Sequence, residues 1–483
     1  MHHATLRCNN REFLFDQAAF ESTIIETSSY FLRCTAYLVR AQVMSLPSLT
    51  TSQCDWHRAS SPHHPKNFCD EGLTLRLHRN TIGSGSRTAQ RMHADRDLQG
   101  GPRMAAHQNS GSGRPGVVDL FSGVGGLSLG ATRAGFRLLG AAELDPKAIA
   151  AHRRNFPRTT HLQVDLAEID GEGLLRLLGV ERDRIDGIIG GPPCQGFSCI
   201  GQRRRDDPRN ELYVDFFRVL SQIRPRFFLV ENVPGILSDG NSRTRAAALA
   251  ELNGAYAIVG PMTLVAHEYG APTTRARVFL VGYRPGELDD MSVDDFRPPK
   301  GVKRVRVRHA LKGLPSKIDP EWQCDRDGWR KVRLPENTFF GRHLRGHIPP
   351  GVGDPEAIRL LREQSIVSGC LGTRHTEAVL RRYAAIEQGE RDAVSKAHRL
   401  DPDGFCPTLR AGTGSDRGSY QAVRPLHPTE NRVITPREAA RLQGFPDWFQ
   451  FDCTKWHSFR QIGNSVSPIL AERILSVVLK ALS

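Results

Sequence analysis

The chain has no run of the ~18–20 apolar residues that a membrane span requires, and its first residues do not form a secretory leader. These two absences set the expectation of a cytoplasmic protein with no membrane partner. Cysteine is scarce and uneven, ten residues in 483 with four of them before residue 70, which argues against a disulfide scaffold. Cys54, His57, His63, His64 and Cys69 cluster, but their spacing matches no standard zinc finger, so no metal is expected. Acid is in deficit: 66 Lys and Arg face 52 Asp and Glu, a net charge of +14. So basic a chain points to a nucleic-acid partner.

What is present centres on Gly190-Gly191-Pro192-Pro193-Cys194-Gln195-Gly196-Phe197. The preceding Ile185-Asp186-Gly187-Ile188-Ile189 is short, apolar and bounded by Gly, the pattern of a buried parallel strand. A cysteine leaving the carboxyl end of such a strand sits where open α/β sheets build their sites. The two prolines restrict the backbone just before it. A second βαβ signal lies upstream. Gly116–Phe121 reads as a strand running into the Gly-rich turn Ser122-Gly123-Val124-Gly125-Gly126, and a helix begins near Leu127. The following strand, Leu138-Leu139-Gly140-Ala141-Ala142-Glu143, ends in an acid about 20 residues on, the placement that holds a ribose hydroxyl. Alone, this loop would also suit a dinucleotide.

Together these segments resemble the cytosine-5 DNA methyltransferases of prokaryotic restriction–modification type. Pro192-Pro193-Cys194-Gln195 with Gly196-Phe197-Ser198 resembles the nucleophile motif, and Val118–Leu127 the cofactor loop. Glu231-Asn232-Val233-Pro234-Gly235, Arg275-Ala276-Arg277-Val278-Phe279, Arg437–Pro446 and Gln461-Ile462-Gly463-Asn464-Ser465-Val466 follow in family order. The resemblance covers about 115–283 and 430–483. It implies a doubly wound, Rossmann-like α/β fold that is S-adenosylmethionine-dependent, with a smaller target-recognition domain inserted near the C-terminus. One departure occurs: Pro272 is followed by Thr273-Thr274, where the family usually carries Gln.

The chemistry fits the residues. Carbon 5 of cytosine is too weak a nucleophile to take a methyl group directly. Addition of a thiolate to carbon 6 makes an enamine whose carbon 5 can attack. Only the thiolate is competent, and an ordinary thiol, with a pKa of about 8.5, is mostly protonated at neutrality. Help at the base is therefore needed. Glu231 is the candidate donor to ring nitrogen 3, which requires a raised pKa or a proton acquired with the base. By resemblance Arg277 donates to the exocyclic oxygen, and Arg275 organises the site or touches the nucleic-acid backbone.

For S-adenosylmethionine the resemblance implies Gly123 and Gly125 in the loop, Glu143 on the ribose, and Phe121 and Leu144 on either side of the adenine. Asp165 would accept from the adenine amino group, with Pro193, Asn464 and Val466 closing the site. In Ser198-Cys199-Ile200-Gly201-Gln202-Arg203-Arg204-Arg205, the arginines beside the nucleophile read as phosphate contacts on a loop closing over double-stranded DNA with a flipped base. Thr408-Leu409 resembles the family's short recognition signature.

Four parts are expected: 1–112, a disordered extension or translated upstream sequence ahead of a start at Met92 or Met104; 113–284, the first part of the catalytic domain; 285–430, target recognition; and 431–483, the catalytic return. The basic stretch Lys303-Arg304-Val305-Arg306-Val307-Arg308 reads as a strand face with an even chance of contacting DNA. A tRNA cytosine-5 methyltransferase, an inactive DNA-binding relative and a nicotinamide oxidoreductase are the alternatives. The absence of Cys-Phe-Thr argues against the first, and the intact nucleophile motif against the other two. A monomer is expected, with a restriction endonuclease acting on the same site as a candidate partner.

Overall fold

The computed structural model describes residues 3–8, 11–16, 113–193, 211–320, 328–333, 337–412 and 423–482. Of residues 1–112 it describes the antiparallel hairpin His3–Cys8 with Arg11–Asp16. The Cys54–Cys69 cluster lies outside the described residues. Two compact units divide the chain, Met1–Ala106 and His107–Ser483, and the family motifs all belong to the second.

Seven segments make the sheet of this second unit: β1 Gly116–Leu120, β2 Arg137–Glu143, β3 Thr160–Gln163, β4 Gly187–Gly190, β5 Phe227–Asn232, β6 Ala257–Val265 and β7 Ala276–Tyr283. The strand order is β3-β2-β1-β4-β5-β7-β6, with β1 to β5 parallel and β7 antiparallel to both neighbours. Alternate side chains enter opposite faces, as a pleated strand demands. Val117, Phe227 and Leu229 join one apolar core, while Val118, Phe228 and Val230 join the other. Because both faces are covered, β1, β4 and β5 are apolar almost throughout, and this is what made them legible as strands. The expected doubly wound α/β fold is present.

Helices α1 Gly126–Ala134, α2 Pro146–Asn155 and α3 Gly171–Leu178 follow the first three strands. α4 Glu211–Ile223 and α5 Ser242–Ala250 flank β5. The chain then leaves the sheet through α6 Val307–Leu311, α7 Phe339–Arg345, α8 Pro355–Gln364 and α9 Glu377–Ala384. It returns with α10 Pro436–Gln443, α11 Lys455–Asn464 and α12 Pro468–Ala481. α10 starts on a capping box, Thr435 with Glu438, as Thr-x-x-Glu before an apolar run should. Its arginines pin the excursion in place. Arg441 makes a two-pronged pair with Asp447 at 2.7 Å on both sides and donates to the carbonyls of Ala310 and Lys312. Arg437 donates to the carbonyls of Ser368, Pro446 and Phe449.

Two expectations change. Lys303–Arg308 is not a strand: irregular backbone runs into α6, with Val305 and Val307 buried and Arg308 paired to Asp403. The alternation was real, but it marks two valines anchoring the start of a helix. Moreover, one stretch does meet the length and composition of a membrane span, 455–481, with a mean hydropathy of 1.3. Two thirds of its apolar window is buried within the protein, and the break between α11 and α12 interrupts it.

Candidate active site

The strand order reverses between β1 and β4, and their carboxyl ends open the crevice in which such sheets bind ligands. β1 delivers Phe121 to the crevice in a left-handed conformation, φ 56°, rare for a bulky residue. Gly125 follows with φ 102° at the start of α1. A side chain here would meet the rings of Phe156 and His152 on α2, at 2.5 and 3.0 Å from its Cβ, so only Gly fits. Gly126 is held from the other side: its Cβ would stand 2.4 Å from the Val466 carbonyl. The Gly-rich loop is thus pressed between α2 and the α11–α12 turn.

Glu143, at the end of β2, accepts from the Gly123 amide at 2.9 Å and the Asp145 amide at 2.8 Å. Burial raises its pKa, opposed by those same backbone bonds. Two accepted bonds leave lone pairs free on a carboxylate. Leu144 beside it is 56% exposed, an apolar side chain lying open next to Phe121's strand end. Asp165 accepts from the Ala167 amide at 3.0 Å, and Asn464 is exposed while Val466 is buried. Open space beside Gly123, an exposed apolar surface and a partly satisfied carboxylate suit a nucleoside bearing a ribose.

Beneath the loop lies a group that sequence reasoning missed. Asp119 of β1 is fully buried, and Ser128 of α1 donates to it at 2.5 Å. Ser128 stands 3.0 Å from His152 Nε2, and His152 Nδ1 stands 2.9 Å from His161 Nε2 on β3. Burial pushes the Asp119 carboxyl up to about 7, with the Ser128 bonds opposing and Glu143 adding to the rise. Burial likewise drives His152 well below the usual imidazole range, and His161 down to about 4. No motif spacing marks residues 119, 128, 152 and 161 as one group.

Across the crevice, Glu231 near the end of β5 pairs in register with Phe279 of antiparallel β7, which brings Arg277 alongside. Arg277 Nε lies 2.8 Å from Glu231 Oε1, an ion pair not aligned as a hydrogen bond, with both side chains about nine-tenths buried. Burial raises the Glu231 pKa, and Arg277 and then Arg275 oppose the rise. The other oxygen, Oε2, reaches to 3.0 Å from where a Cβ on Gly191 would lie, so Glu231 faces the start of the Pro192-Pro193 loop. Asn232 reaches the Pro192 carbonyl at 3.4 Å.

Arg275 does something different. Fully buried, it donates to the Leu409 carbonyl at 3.1 Å, next to exposed Thr408. Thr273 lies opposite Cys406 in an isolated bridge: the Thr274 N–H donates to the Cys406 carbonyl and the Cys406 N–H to the Pro272 carbonyl, both at 2.9 Å. The departure at Thr273-Thr274 therefore sits where this segment docks against 406–409. Cys194, Ser198, Arg203, Arg204 and Arg205 lie outside the described residues; Pro193 is half-buried at the last described position of the loop.

The sequence profile of the C-5 cytosine-specific DNA methylases matches residues 116–480. The chain belongs to this family. It is a DNA methyltransferase with S-adenosylmethionine as methyl donor. Among relatives of this methyltransferase, the Type II methyltransferase M.XorII of Xanthomonas oryzae pv. oryzae is 41% identical over 376 residues, spanning 76% of this chain and 85% of its own. M.AgeI of Thalassovita gelatinovora, also a Type II methyltransferase, is 30% identical over 434 residues, 76% of this chain and 100% of its own. Among solved structures, one described as a DNA modification methyltransferase encoded within an E. coli prophage superposes with a TM-score of 0.69 at 50% identity, covering 76% of this chain and 99% of its own. Dnmt2 of S. pombe, at 18% identity and a TM-score of 0.50, shares the fold. Within this methyltransferase, sequence motifs alone located Glu143, Glu231, Arg277 and the Gly-rich loop; the crevice brings them to one end of the sheet.

Proposed function

We propose that this cytosine-5 DNA methyltransferase works through a covalent bond from Cys194 to carbon 6 of a flipped cytosine, within a short sequence in duplex DNA, as part of a restriction–modification system. The observation that carries the reading is the Glu231–Arg277 pair facing the Pro192-Pro193 loop. A carboxyl whose pKa is raised by burial can hold a proton and donate it to ring nitrogen 3, which an ionised carboxylate, an acceptor only, cannot do. Arg277 keeps that carboxyl in place and offers its guanidinium to the exocyclic oxygen. Attack by Cys194 then meets a ring already drawing electrons toward nitrogen 3, so the barrier falls at the step where charge develops. Once carbon 5 carries the methyl group, a base such as water takes the carbon-5 proton and the bond from carbon 6 to sulfur breaks, returning the Cys194 thiolate and releasing 5-methylcytosine.

S-adenosylmethionine, when bound, supplies an electrophilic methyl group. Glu143 would take its ribose, Phe121 and Leu144 its adenine with Asp165 on the amino group, and Gly123, Gly125, Pro193, Asn464 and Val466 would close the cradle. Ser198, Arg203, Arg204, Arg205 and Thr408 would touch DNA, with 285–430 as the recognition domain between the two catalytic parts, 113–284 and 431–483. The Type II names of the relatives support a partner endonuclease that cuts the same site; a monomeric, cytoplasmic enzyme completes the reading.

The test is bisulfite-type sequencing of plasmid DNA from cells expressing the full chain or its Cys194→Ala variant. Methylated cytosines at one short motif, lost in the variant, would bear the proposal out. A variant that still methylates would refute the covalent mechanism.

A further inference from the structure

Asp119, Ser128, His152 and His161 join β1, α1, α2 and β3 in one line of hydrogen bonds, from a fully buried carboxyl to a half-buried imidazole. Each link has one hydrogen to share, so the line has two polarities. With Asp119 ionised, Ser128 donates toward it. With Asp119 protonated, the carboxyl donates to Ser128 Oγ, Ser128 to His152 Nε2, and His152 Nδ1–H to His161 Nε2. The remaining nitrogen of His161 is then free for its bond to the Thr159 backbone. Either polarity keeps Ser128 and His152 bonded on both sides without moving a heavy atom.

We propose that these four residues form a proton relay, and that the charge it sets on the carboxyl under the Gly-rich loop governs the preference for the cationic methyl donor over its neutral, demethylated product. The transfer balances. The Asp119 proton passes to Ser128, the Ser128 proton to His152 Nε2, and the His152 Nδ1 proton to His161 Nε2. A carboxylate and a surface-side imidazolium result, and the imidazolium gives its proton to water. Without this line, Asp119 could ionise only by opening the core.

The placement ties the relay to the donor site. Asp119 stands two residues before Phe121 and four before Gly123, and the His152 ring forms part of the floor under Gly125. The charged neighbours are few. Asp119 feels Glu143, which itself holds the Gly123 amide, while its strand partners Ala141 and Ile189 are apolar. His152 feels His161, and His161 feels Arg153. Asp119 Oδ1 has no hydrogen-bond partner among the described residues, so its negative form is left undersatisfied unless a cation lies nearby. The sulfonium of S-adenosylmethionine is such a cation; the thioether of the product is not.

The inference rests on the cofactor reading, and the experiment separates the two. Dissociation constants of the full-length protein for S-adenosylmethionine and S-adenosylhomocysteine would be measured by calorimetry from about pH 6 to about pH 8.5, bracketing the transition of Asp119. Binding of the methyl donor at any one pH reports the cofactor site. The ratio of the two constants reports the charge on Asp119. In the native protein the preference for the donor should rise with pH by a factor on the order of five, as a partly screened charge pair would give. In Asp119→Asn and Ser128→Ala the ratio should be flat. His161→Asn, at the half-buried end, keeps an acceptor for His152 but cannot carry the proton onward, so its equilibrium ratio should keep the native slope while its affinity responds to a jump in pH at least about tenfold more slowly than the native protein's. A ratio independent of pH in the native protein, or a native slope retained in Ser128→Ala, would overturn the role of Asp119; a native response rate in His161→Asn would overturn the relay.

Discussion

The two sides of the crevice each hold a glutamate whose pKa is raised by desolvation, and they are stabilised differently. Glu143 is held by two backbone amides, which are fixed, uncharged donors. Glu231 is held by arginines, which are charges of opposite sign. Amides fix a position, whereas a guanidinium also fixes the free energy of losing a proton. The first arrangement suits a group that must stay put while a ligand comes and goes. The second suits a group that must change protonation during a turnover. Environment rather than residue type divides the labour, as in other paired-carboxylate sites.

Substitutions can break this contrast. Glu231→Gln keeps the shape and removes the proton, so single-turnover methylation should fall by about 10²–10⁴ while donor binding by calorimetry is unchanged. If donor affinity fell with it, the two sides would not be separable. Asp119→Asn tests the floor of the donor side through stability. A carboxyl moved from its ordinary value of 3.8 up to about 7 favours the fold while protonated. Its contribution is complete below the ordinary value and is lost as pH rises through about 7. The native protein should therefore lose on the order of 4 kcal/mol between those limits, and the melting temperature of the Asn variant should be correspondingly flatter over that window. Gly126→Ala drives a methyl into the Val466 carbonyl and should cost about 1–3 kcal/mol of stability, read in the denaturation midpoint, with weakened donor binding. Glu143→Gln retains the oxygen that accepts from an amide, so its effect should be the smallest: about tenfold in donor affinity, the loss of one charge-assisted bond, with the chemical step at saturating donor nearly intact.

The contrast also explains what could be read from the sequence. β1, β2, β4 and β5 are largely apolar because both sheet faces are covered, and the acids and glycines at their carboxyl ends stand out against that background. Glu143, Glu231 and the Gly-rich loop were legible for this reason. Lys303–Arg308 was misread because alternation of valine and arginine describes a strand face and two anchoring valines equally well. Only packing against the return, through Arg441 and the Ala310 and Lys312 carbonyls, decides between them. The role of Arg275 as a clamp on Leu409 was not available either, since 134 residues separate the partners. The Asp119 relay is a product of three separate loops folding back, and its members carry no spacing at all.

The Gly-rich loop proposed to cradle the donor leans on a carbonyl, Val466, contributed by a segment synthesised some 340 residues later. A chain emerging from the ribosome therefore holds the residues of β1 through β7 before it holds those that finish the packing of this loop. The proposed recognition segment, 285–430, must be made first, because it lies between. On that proposal the order of synthesis withholds methyl transfer until the means of choosing a target are in place.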